Sequence, residues 1–153
     1  MKTVTDPDVR ASLIARLSAL TPDSARRWGR LTAHEMLCHL GDAFEMVLLI
    51  RPRPNTVRTR HRPIFKGIWL WSAVRFPHGV KTNPSHDPKV DGTRPGVFEA
   101  DRERLIARLE AIGTATDQDA LEPLHGLFGT MTLRDWQRWA YKHVDHHLRQ
   151  FGL

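Results

Sequence analysis

Two histidines near the end of the chain have the spacing of a metal-binding pair. His143 and His147 are four residues apart, so on a helix their side chains share one face, with Cβ atoms about 6 Å apart. Zinc-dependent proteases bind their metal through histidines at this i, i+4 spacing. Trp136 and Ala140 continue the same face, which predicts that both histidines point into the protein.

A third histidine, His39, lies on the apolar stripe of an earlier helical segment. A lone histidine in such a place is typical of core packing with one hydrogen bond, and an isolated i, i+4 pair can equally belong to the surface. Burying three imidazoles on two helices without a shared partner is costly, because each loses water from its polar nitrogens. The combination favours one divalent metal ion bound by His39, His143 and His147.

Four amphipathic segments could position these residues. Asp6 is suited to cap the first, and the S/T-x-x-E/D pattern recurs at Thr32 with Glu35 and at Thr132 with Asp135. No segment has a convincing strand pattern, so the sequence predicts an all-α four-helix bundle formed by one domain, residues 1–153. The predicted helices cover about residues 6–21, 32–50, 97–112 and 132–149.

The positions of the histidines constrain the topology of this bundle. His39 lies near the start of the second helix, whereas His143 and His147 lie near the end of the fourth, so the two helices must be antiparallel to share an ion. A simple up-down-up-down bundle makes them parallel. The segment from Arg51 to Gly96, interrupted by seven prolines, is long enough to be a crossover that makes helices two and three parallel. Within it, a short helix is predicted at 64–76.

The chain is basic, with a net charge of +6 and a pI of about 10.2. A solvated arginine-rich loop is the simpler interpretation, and binding to nucleic acid is the alternative. Few aromatic residues alternate with these cations, so a base-stacking surface is poorly supported and nucleic acid is not the favoured partner. The charge is concentrated in Arg51, Arg53, Arg58, Arg60, Arg62 and Lys66.

The sequence also suggests where the protein resides. Its longest apolar run, at residues 46–50, is far too short to cross a bilayer, and the N-terminus lacks the apolar region of a secretory signal. With a single cysteine, Cys38, an internal disulfide is impossible. We therefore expect a cytoplasmic protein without membrane association.

The segments around the three histidines resemble the DinB-like superfamily, which includes YfiT-type proteins and bacterial thiol S-transferases. The matching pieces are Met36-Leu37-Cys38-His39-Leu40 and the terminal run KHVDHHLRQFG at residues 142–152. Residues 127–132 followed by Trp136 are similar to one particular branch of that family. The likeness spans nearly the whole chain.

This resemblance implies a four-helix bundle with a long crossover, a three-histidine metal site, zinc or nickel as the metal, and a homodimer. The family's ligands are one histidine on helix two and the outer pair of an H-x-x-x-H motif on helix four. These fall on His39, His143 and His147. The crossover departs from that of the transferases, so their thiol substrate is not simply carried over.

Three histidine ligands leave at least one coordination position open, which is typical of catalytic rather than structural sites. A metal there could lower the pKa of a bound thiol or of a bound water. The resulting hypothesis is a metal-dependent enzyme acting on a small molecule, either a thiol S-transferase or a hydrolase. The alternative is a non-catalytic module whose ion stabilises the bundle or serves regulation.

Four residues near the predicted ligands are secondary candidates. His125, just before the fourth helix, is the candidate catalytic proton carrier, with capping of a loop as the alternative. Glu35 and Asp42 flank His39 on its helix and could orient its free nitrogen, although each could equally lie on the surface. Cys38 is predicted to be a small buried residue rather than a nucleophile.

The apolar part of the crossover is predicted to wall a pocket beside the metal. Trp69 or Trp71 and the loop at residues 77–80 are the expected wall. His146 is predicted to face away from the ligand pair because it lies on another side of the helix. No role is assigned to His34, His61, His78 or His86.

Overall fold

Four long helices form the bundle in the computed structural model, which describes residues 1–52 and 63–153. They are α1 (Pro7–Ser18), α2 (Ala33–Val47), α3 (Phe98–Thr114) and α4 (Leu133–Gln150). Within the described ranges, no helix is long and apolar enough to span a membrane. Four arginines of the predicted basic cluster lie outside the described residues, at positions 53, 58, 60 and 62. His61 also lies outside them.

Side-chain caps fix where these helices begin. The carboxylate of Asp6 accepts hydrogen bonds from the first-turn amides of α1. Thr32 and Glu35 form a reciprocal capping box at α2, and Thr132 and Asp135 form one at α4. Each such cap stabilises its helix by about 1 kcal/mol because it satisfies amides that have no intrahelical acceptor. The three predicted helix starts are thereby confirmed.

The end of α2 differs from the predicted end. The helix stops at Val47, and Leu49 adopts a left-handed backbone with φ of 57°. The turn points Ile50 to solvent, and this residue is 53% exposed. The predicted extension of this helix to residue 50 is therefore wrong.

Contacts between α2 and α3 show that the two helices are parallel. His34, in the first turn of α2, contacts Asp101 at 2.7 Å, and Glu45, near its end, contacts Arg108 at 3.3 Å. Residue numbers rise together along both helices, which requires the same direction. The segment between them is thus a crossover along the bundle, as predicted.

Helices α2 and α4 run in opposite directions. The ring of His39 lies 4.9 Å from that of His147, whereas Phe44, further along α2, lies 5.8 Å from Trp139, which comes earlier in α4. Residue numbers therefore rise along α2 in the direction in which they fall along α4. The predicted all-α bundle with parallel second and third helices is therefore confirmed.

The crossover is less helical than predicted. It contains a short α-helical turn at Pro63–Phe65, a π-helical turn at Lys66–Leu70 and a 3-10 turn at Pro84–His86. Two cations of α4, Arg138 and Lys142, donate hydrogen bonds to backbone carbonyls of residues 69–74. These bonds hold the crossover against α4 at the point where the short helical turns of the crossover end.

A two-stranded antiparallel sheet, absent from the prediction, precedes α4. Strand β1 (Leu124–His125) pairs with β2 (Gly129–Thr130). Gly129 has a φ of 71°, which suits glycine in the tight return of the chain. Strands of two residues are too short to produce a detectable alternation in the sequence.

The core fills the space between the four helices with aliphatic and aromatic side chains. Trp136 is fully buried, and its indole N–H donates to the carbonyl of Glu122, which satisfies the ring's one polar group. Other fully buried core residues include Leu13, Leu17, Leu37, Leu40, Phe44, Leu105, Leu109, Ile112 and Leu148.

Candidate metal centre

The structure brings the three predicted histidines together between α2 and α4. His39, His143 and His147 each offer a ring nitrogen within 4.8 Å of the other two. The Nε2 atoms of His39 and His143 are 3.3 Å apart. Two nitrogens bound tetrahedrally to one zinc ion at about 2.0–2.1 Å would be separated by about 3.3–3.4 Å. The observed spacing therefore fits two ligands of one ion.

Hydrogen bonds at the opposite ring nitrogens prepare two of these imidazoles for a metal. Nδ1 of His39 lies 2.8 Å from the backbone carbonyl of His86. Because a carbonyl oxygen only accepts, Nδ1 carries the proton and the lone pair is on Nε2. A ligating histidine commonly has such a partner, which fixes its tautomer and its ring orientation.

Gln150 performs the same task for His147. The Nδ1 of His147 donates to the Gln150 side-chain oxygen at 3.0 Å, while the Gln150 amide nitrogen donates to the carbonyl of Trp28 at 2.8 Å. The second bond identifies which end of the amide is nitrogen, since the Trp28 carbonyl is an acceptor. The Nε2 lone pair of His147 is thereby free for a ligand.

His143 is held differently. Its Nδ1 is buried and has no hydrogen-bond partner among the described residues. Its ring is instead packed against Trp139, at 4.5 Å between centroids, and lies 6.5 Å from Phe44. Packing therefore orients this imidazole, and its unsatisfied polar atom is a cost that a ligand on Nε2 would offset.

The electrostatics of the cluster favour neutral imidazoles. Burial lowers the pKa of His39 and is also the main cause that holds the pKa values of His143 and His147 well below the usual histidine range. Mutual repulsion between the rings adds to the effect, since a proton on one ring disfavours a proton on the next. Neutral imidazole is the form that binds metal. The residues present thus fit a divalent ion.

Family comparison agrees with this architecture. The profile of the DinB superfamily matches residues 8–151, a span that includes the three histidines and all of the four helices except the first residue of α1. The chain belongs to the DinB superfamily. No curated protein and no solved structure matches it significantly.

His146 lies outside the histidine cluster of this DinB-superfamily chain, as the helical spacing predicts. Its ring contacts Trp28 at 4.7 Å and lies 6.1 Å from Phe76 of the crossover. It is absent from the group of converging nitrogens that His143 and His147 join. His143 and His147 therefore belong to the cluster, whereas His146, which lies between them in the sequence, does not.

His125 is the last residue of β1, just before the turn that joins the two strands. Its Nδ1 accepts hydrogen bonds from the amides of Leu127, at 3.0 Å, and Phe128, at 3.3 Å. The ring stacks on Phe128 at 4.6 Å, and burial lowers the pKa of His125 to about 4. These contacts correspond to the loop-capping alternative, and the catalytic assignment of His125 stays a prediction.

The carboxylates expected to orient His39 have other partners. Asp42 accepts from the backbone amide of Thr93 at 2.6 Å and from its hydroxyl at 2.7 Å, and it pairs with Arg104 at 2.6 Å. Glu35 completes the capping box of α2. The residue that orients His39 is His86, which the sequence missed because it acts through its backbone carbonyl.

A second group of possible ligands, His34, Cys38 and Asp101, lies between α2 and α3. Burial and the neighbouring Asp101 raise the pKa of the Cys38 thiol to about 12. The thiol is therefore protonated in the metal-free protein, and Asp101 already accepts hydrogen bonds from His34 and from the Gly96 amide. Cys38 is buried, which agrees with the predicted packing role.

The predicted tryptophan wall is wrong for Trp71. Its indole N–H donates to Asp135 in the first turn of α4, which is about 18 Å along the helix from His147. Trp69 packs beside the core, and neither tryptophan lines the groove next to the histidines. The predicted loop at 77–80 does reach this region, because His78 stacks on Trp28 with ring centroids 3.8 Å apart.

Proposed function

We propose that this DinB-superfamily protein binds one divalent metal ion, zinc or nickel, through His39, His143 and His147. The observation that carries the proposal is the convergence of three neutral imidazoles within 4.8 Å. The carbonyl of His86 and the side chain of Gln150 support it, because they direct the lone pairs of two rings into the same space.

The chemistry we propose is activation of a thiol or of water at the position left open by three ligands. A bound divalent ion would supply Lewis acidity, which lowers the pKa of a coordinated thiol or water. The three protein ligands are uncharged, so the site keeps its full positive charge and attracts anions. His143 and His147 are only half-buried, so these residues are not sealed from solvent.

A thiol S-transferase is the activity we favour over a hydrolase, on the strength of the family resemblance. The nucleic-acid alternative loses support from the described part of the basic cluster. There, Arg51 pairs with the buried carboxylate of Asp42 at 2.6 Å, and Lys66 pairs with Asp135. These two cations are already neutralised and offer little to a phosphate backbone.

Two further aspects of the proposal concern the whole protein. A homodimer is proposed from the family resemblance, and light scattering during gel filtration would measure the mass directly. A reducing, cytoplasmic location is proposed, and the single free and buried cysteine, Cys38, is consistent with it.

Metal analysis of protein purified without a histidine tag is the direct test. We expect about one divalent ion per chain, a large loss of metal in His143→Ala and in His147→Ala, and normal content in His146→Ala. His146 is the matched control because it lies on the same helical turn but outside the cluster. Equal metal loss in all three folded variants would overturn the ligand assignment.

Activity is tested separately, with conjugation of low-molecular-weight thiols to electrophiles. We expect turnover that depends on the metal and is abolished in His143→Ala. Circular dichroism must show that the variant is folded, because loss of the ion can also loosen the bundle. A metal-loaded wild-type protein that is inactive with a broad panel of thiols, electrophiles and hydrolysable esters would favour the non-catalytic module.

A further inference from the structure

A groove of about 750 Å³ runs beside the histidine cluster at the C-terminal end of α4. Aromatic rings form one of its walls. His78 stacks on Trp28, with an angle of 14° between the rings, and His146 meets Trp28 edge-on. Phe76 of the crossover also lines the groove. This wall offers a flat apolar surface to a ligand.

The charge of the groove is strongly positive. Among the described residues, the one acidic side chain that lines it is Asp145, which is already paired with Arg16 at 2.9 Å and with Arg149 at 3.6 Å. A cavity with an excess of cations attracts anions into it, and its low-dielectric walls strengthen the attraction. The lining cations are Lys2, Arg27, Arg75, Arg138, Lys142 and Arg149.

Four of these cations fall into two groups. Arg138 and Lys142 form the fixed part, because their donors are used by backbone carbonyls of the crossover. Arg27 and Arg75 form the available part: both are exposed and have no ion-pair partner in the described part of the chain. The groove thus combines a permanent positive field with two guanidinium groups that are free to bind an anion.

The groove is connected to the histidine cluster by direct contacts. Gln150 binds His147 with its side-chain oxygen and the Trp28 carbonyl with its side-chain nitrogen. The ring of His146, which lines the groove, is 5.2 Å from that of His147. A ligand against Trp28 therefore lies one side chain away from a proposed metal ligand.

We propose that this groove binds a small acidic molecule, with a carboxylate or phosphate group on Arg27 and Arg75 and an apolar or planar body against Trp28, Phe76 and His78. The inference deepens the proposed function, since it assigns an acidic character to the substrate of the adjacent centre. Binding in the groove requires no contact with the metal, so it can be tested independently of metal content.

Calorimetric titration with three naphthalene probes tests the charge requirement. The probes are 2-naphthoate, 1-naphthyl phosphate and the neutral 2-naphthalenemethanol, each titrated into the full chain with and without a chelator. We expect at least one anionic probe to bind about tenfold more tightly than the neutral probe, because a charge-assisted hydrogen bond contributes that much. We also expect the preference to weaken with added salt. The better anion identifies carboxylate or phosphate as the preferred group.

Charge-matched variants locate the binding site. Arg75→Gln and Arg27→Gln should each weaken the anionic probe about tenfold, with no change for the neutral probe. Arg94→Gln removes the same charge from an exposed position that does not line the groove, and should leave both probes unchanged. Equal effects of Arg75→Gln and Arg94→Gln, or no preference for the anions, would overturn the proposal.

The chelator arm separates this proposal from the metal proposal. If the anions bind to the metal instead, a chelator abolishes their binding while Arg75→Gln leaves it intact. That result would also overturn the groove proposal. If the purified protein contains no metal but the arginine-dependent binding persists, the groove proposal stands and the metal proposal fails.

Discussion

At the candidate centre, the three histidine rings converge, and neighbouring side chains hold two of them in position. His147 is oriented by Gln150, whose position is fixed in turn by the Trp28 carbonyl. His143, by contrast, is held by packing against Trp139. Removing a hydrogen-bonding partner of a ligand typically reduces metal affinity about 10- to 100-fold.

Gln150→Ala should therefore reduce metal affinity about 10- to 100-fold while the bundle stays folded. A competition titration against a chromophoric chelator measures the change. Gln137→Ala is the matched control, because Gln137 is also a buried glutamine of α4 but donates to carbonyls of Ile112 and Ala115. Unchanged affinity in Gln150→Ala, or an equal loss in Gln137→Ala, would contradict the orienting role.

The two interpretations of His125, turn capping and proton transfer, predict different effects of replacing this residue. If its Nδ1 caps the turn, His125→Ala leaves the amides of Leu127 and Phe128 without an acceptor and costs about 1–3 kcal/mol of unfolding free energy. Asparagine can supply an acceptor at a similar position, so His125→Asn should recover most of that loss.

Urea unfolding of the two His125 variants measures this difference. An asparagine variant no more stable than the alanine variant would count against the capping role. The catalytic prediction is judged on the same asparagine protein: thiol conjugation that is lost in a stable, metal-loaded His125→Asn would support a proton carrier.

At the scale of the elements, a buried ionic network joins α2, α3 and both ends of the crossover. Asp42 of α2 binds Arg104 of α3, Arg51 where the crossover begins and Thr93 near its end. Burial alone would raise the pKa of Asp42, but the hydrogen bonds from Thr93 and Arg104 outweigh it, and the pKa is lowered.

The sign of that shift predicts how stability depends on pH. A carboxyl whose pKa is lower in the folded state stabilises it above the unfolded value, about 4, and the contribution is lost as pH falls through the folded value. Asp42→Asn should therefore cost about 3 kcal/mol at pH 7, since it leaves Arg104 without its full partner, and should flatten the loss of stability below about pH 5.

Urea titrations at pH 7, 5 and 3 test the Asp42 prediction. Asp23→Asn, at an exposed position, is the control and should keep both the stability and the pH profile of the wild type. If Asp42→Asn retains the wild-type slope between pH 5 and pH 3, another carboxyl is responsible for the acid sensitivity.

The same elements show what sequence can and cannot predict. Caps such as Thr32 with Glu35 act through side chains and leave a residue pattern, so the starts of α1, α2 and α4 were predictable. The opposite axial positions of His39 and His147 required the crossover, which the structure has. His86 contributes a backbone carbonyl that any residue type possesses, and β1 and β2 have two residues each, so neither leaves a pattern in the sequence.

The wall of the groove was also mispredicted for a physical reason. The sequence placed Trp69 or Trp71 beside the histidines because the crossover must pass their end of the bundle. Trp71 instead binds Asp135 at the opposite end of α4, and Trp28, from the loop after α1, takes its place. Which apolar residue of a long connection meets which site depends on tertiary packing that periodicity does not encode.

For the whole molecule, the proposed centre links metal binding to folding. His39 belongs to α2 while His143 and His147 belong to α4, so an ion bound to all three would join two antiparallel helices distant in sequence. The unfolded chain does not hold these rings together, and a ligand that binds only the folded state stabilises it by mass action. At a free metal concentration of about 1,000 times Kd, the gain is about 4 kcal/mol.

Thermal unfolding should therefore report the metal directly. For a chain of this size, about 4 kcal/mol corresponds to a rise in Tm of roughly 10 °C on adding zinc or nickel, reversed by a chelator. The rise should vanish in His143→Ala and persist in His146→Ala, because only the former removes a converging nitrogen. A rise that persists in His143→Ala but vanishes in Cys38→Ser would instead locate the ion between α2 and α3, at His34, Cys38 and Asp101, and would refute the three-histidine centre.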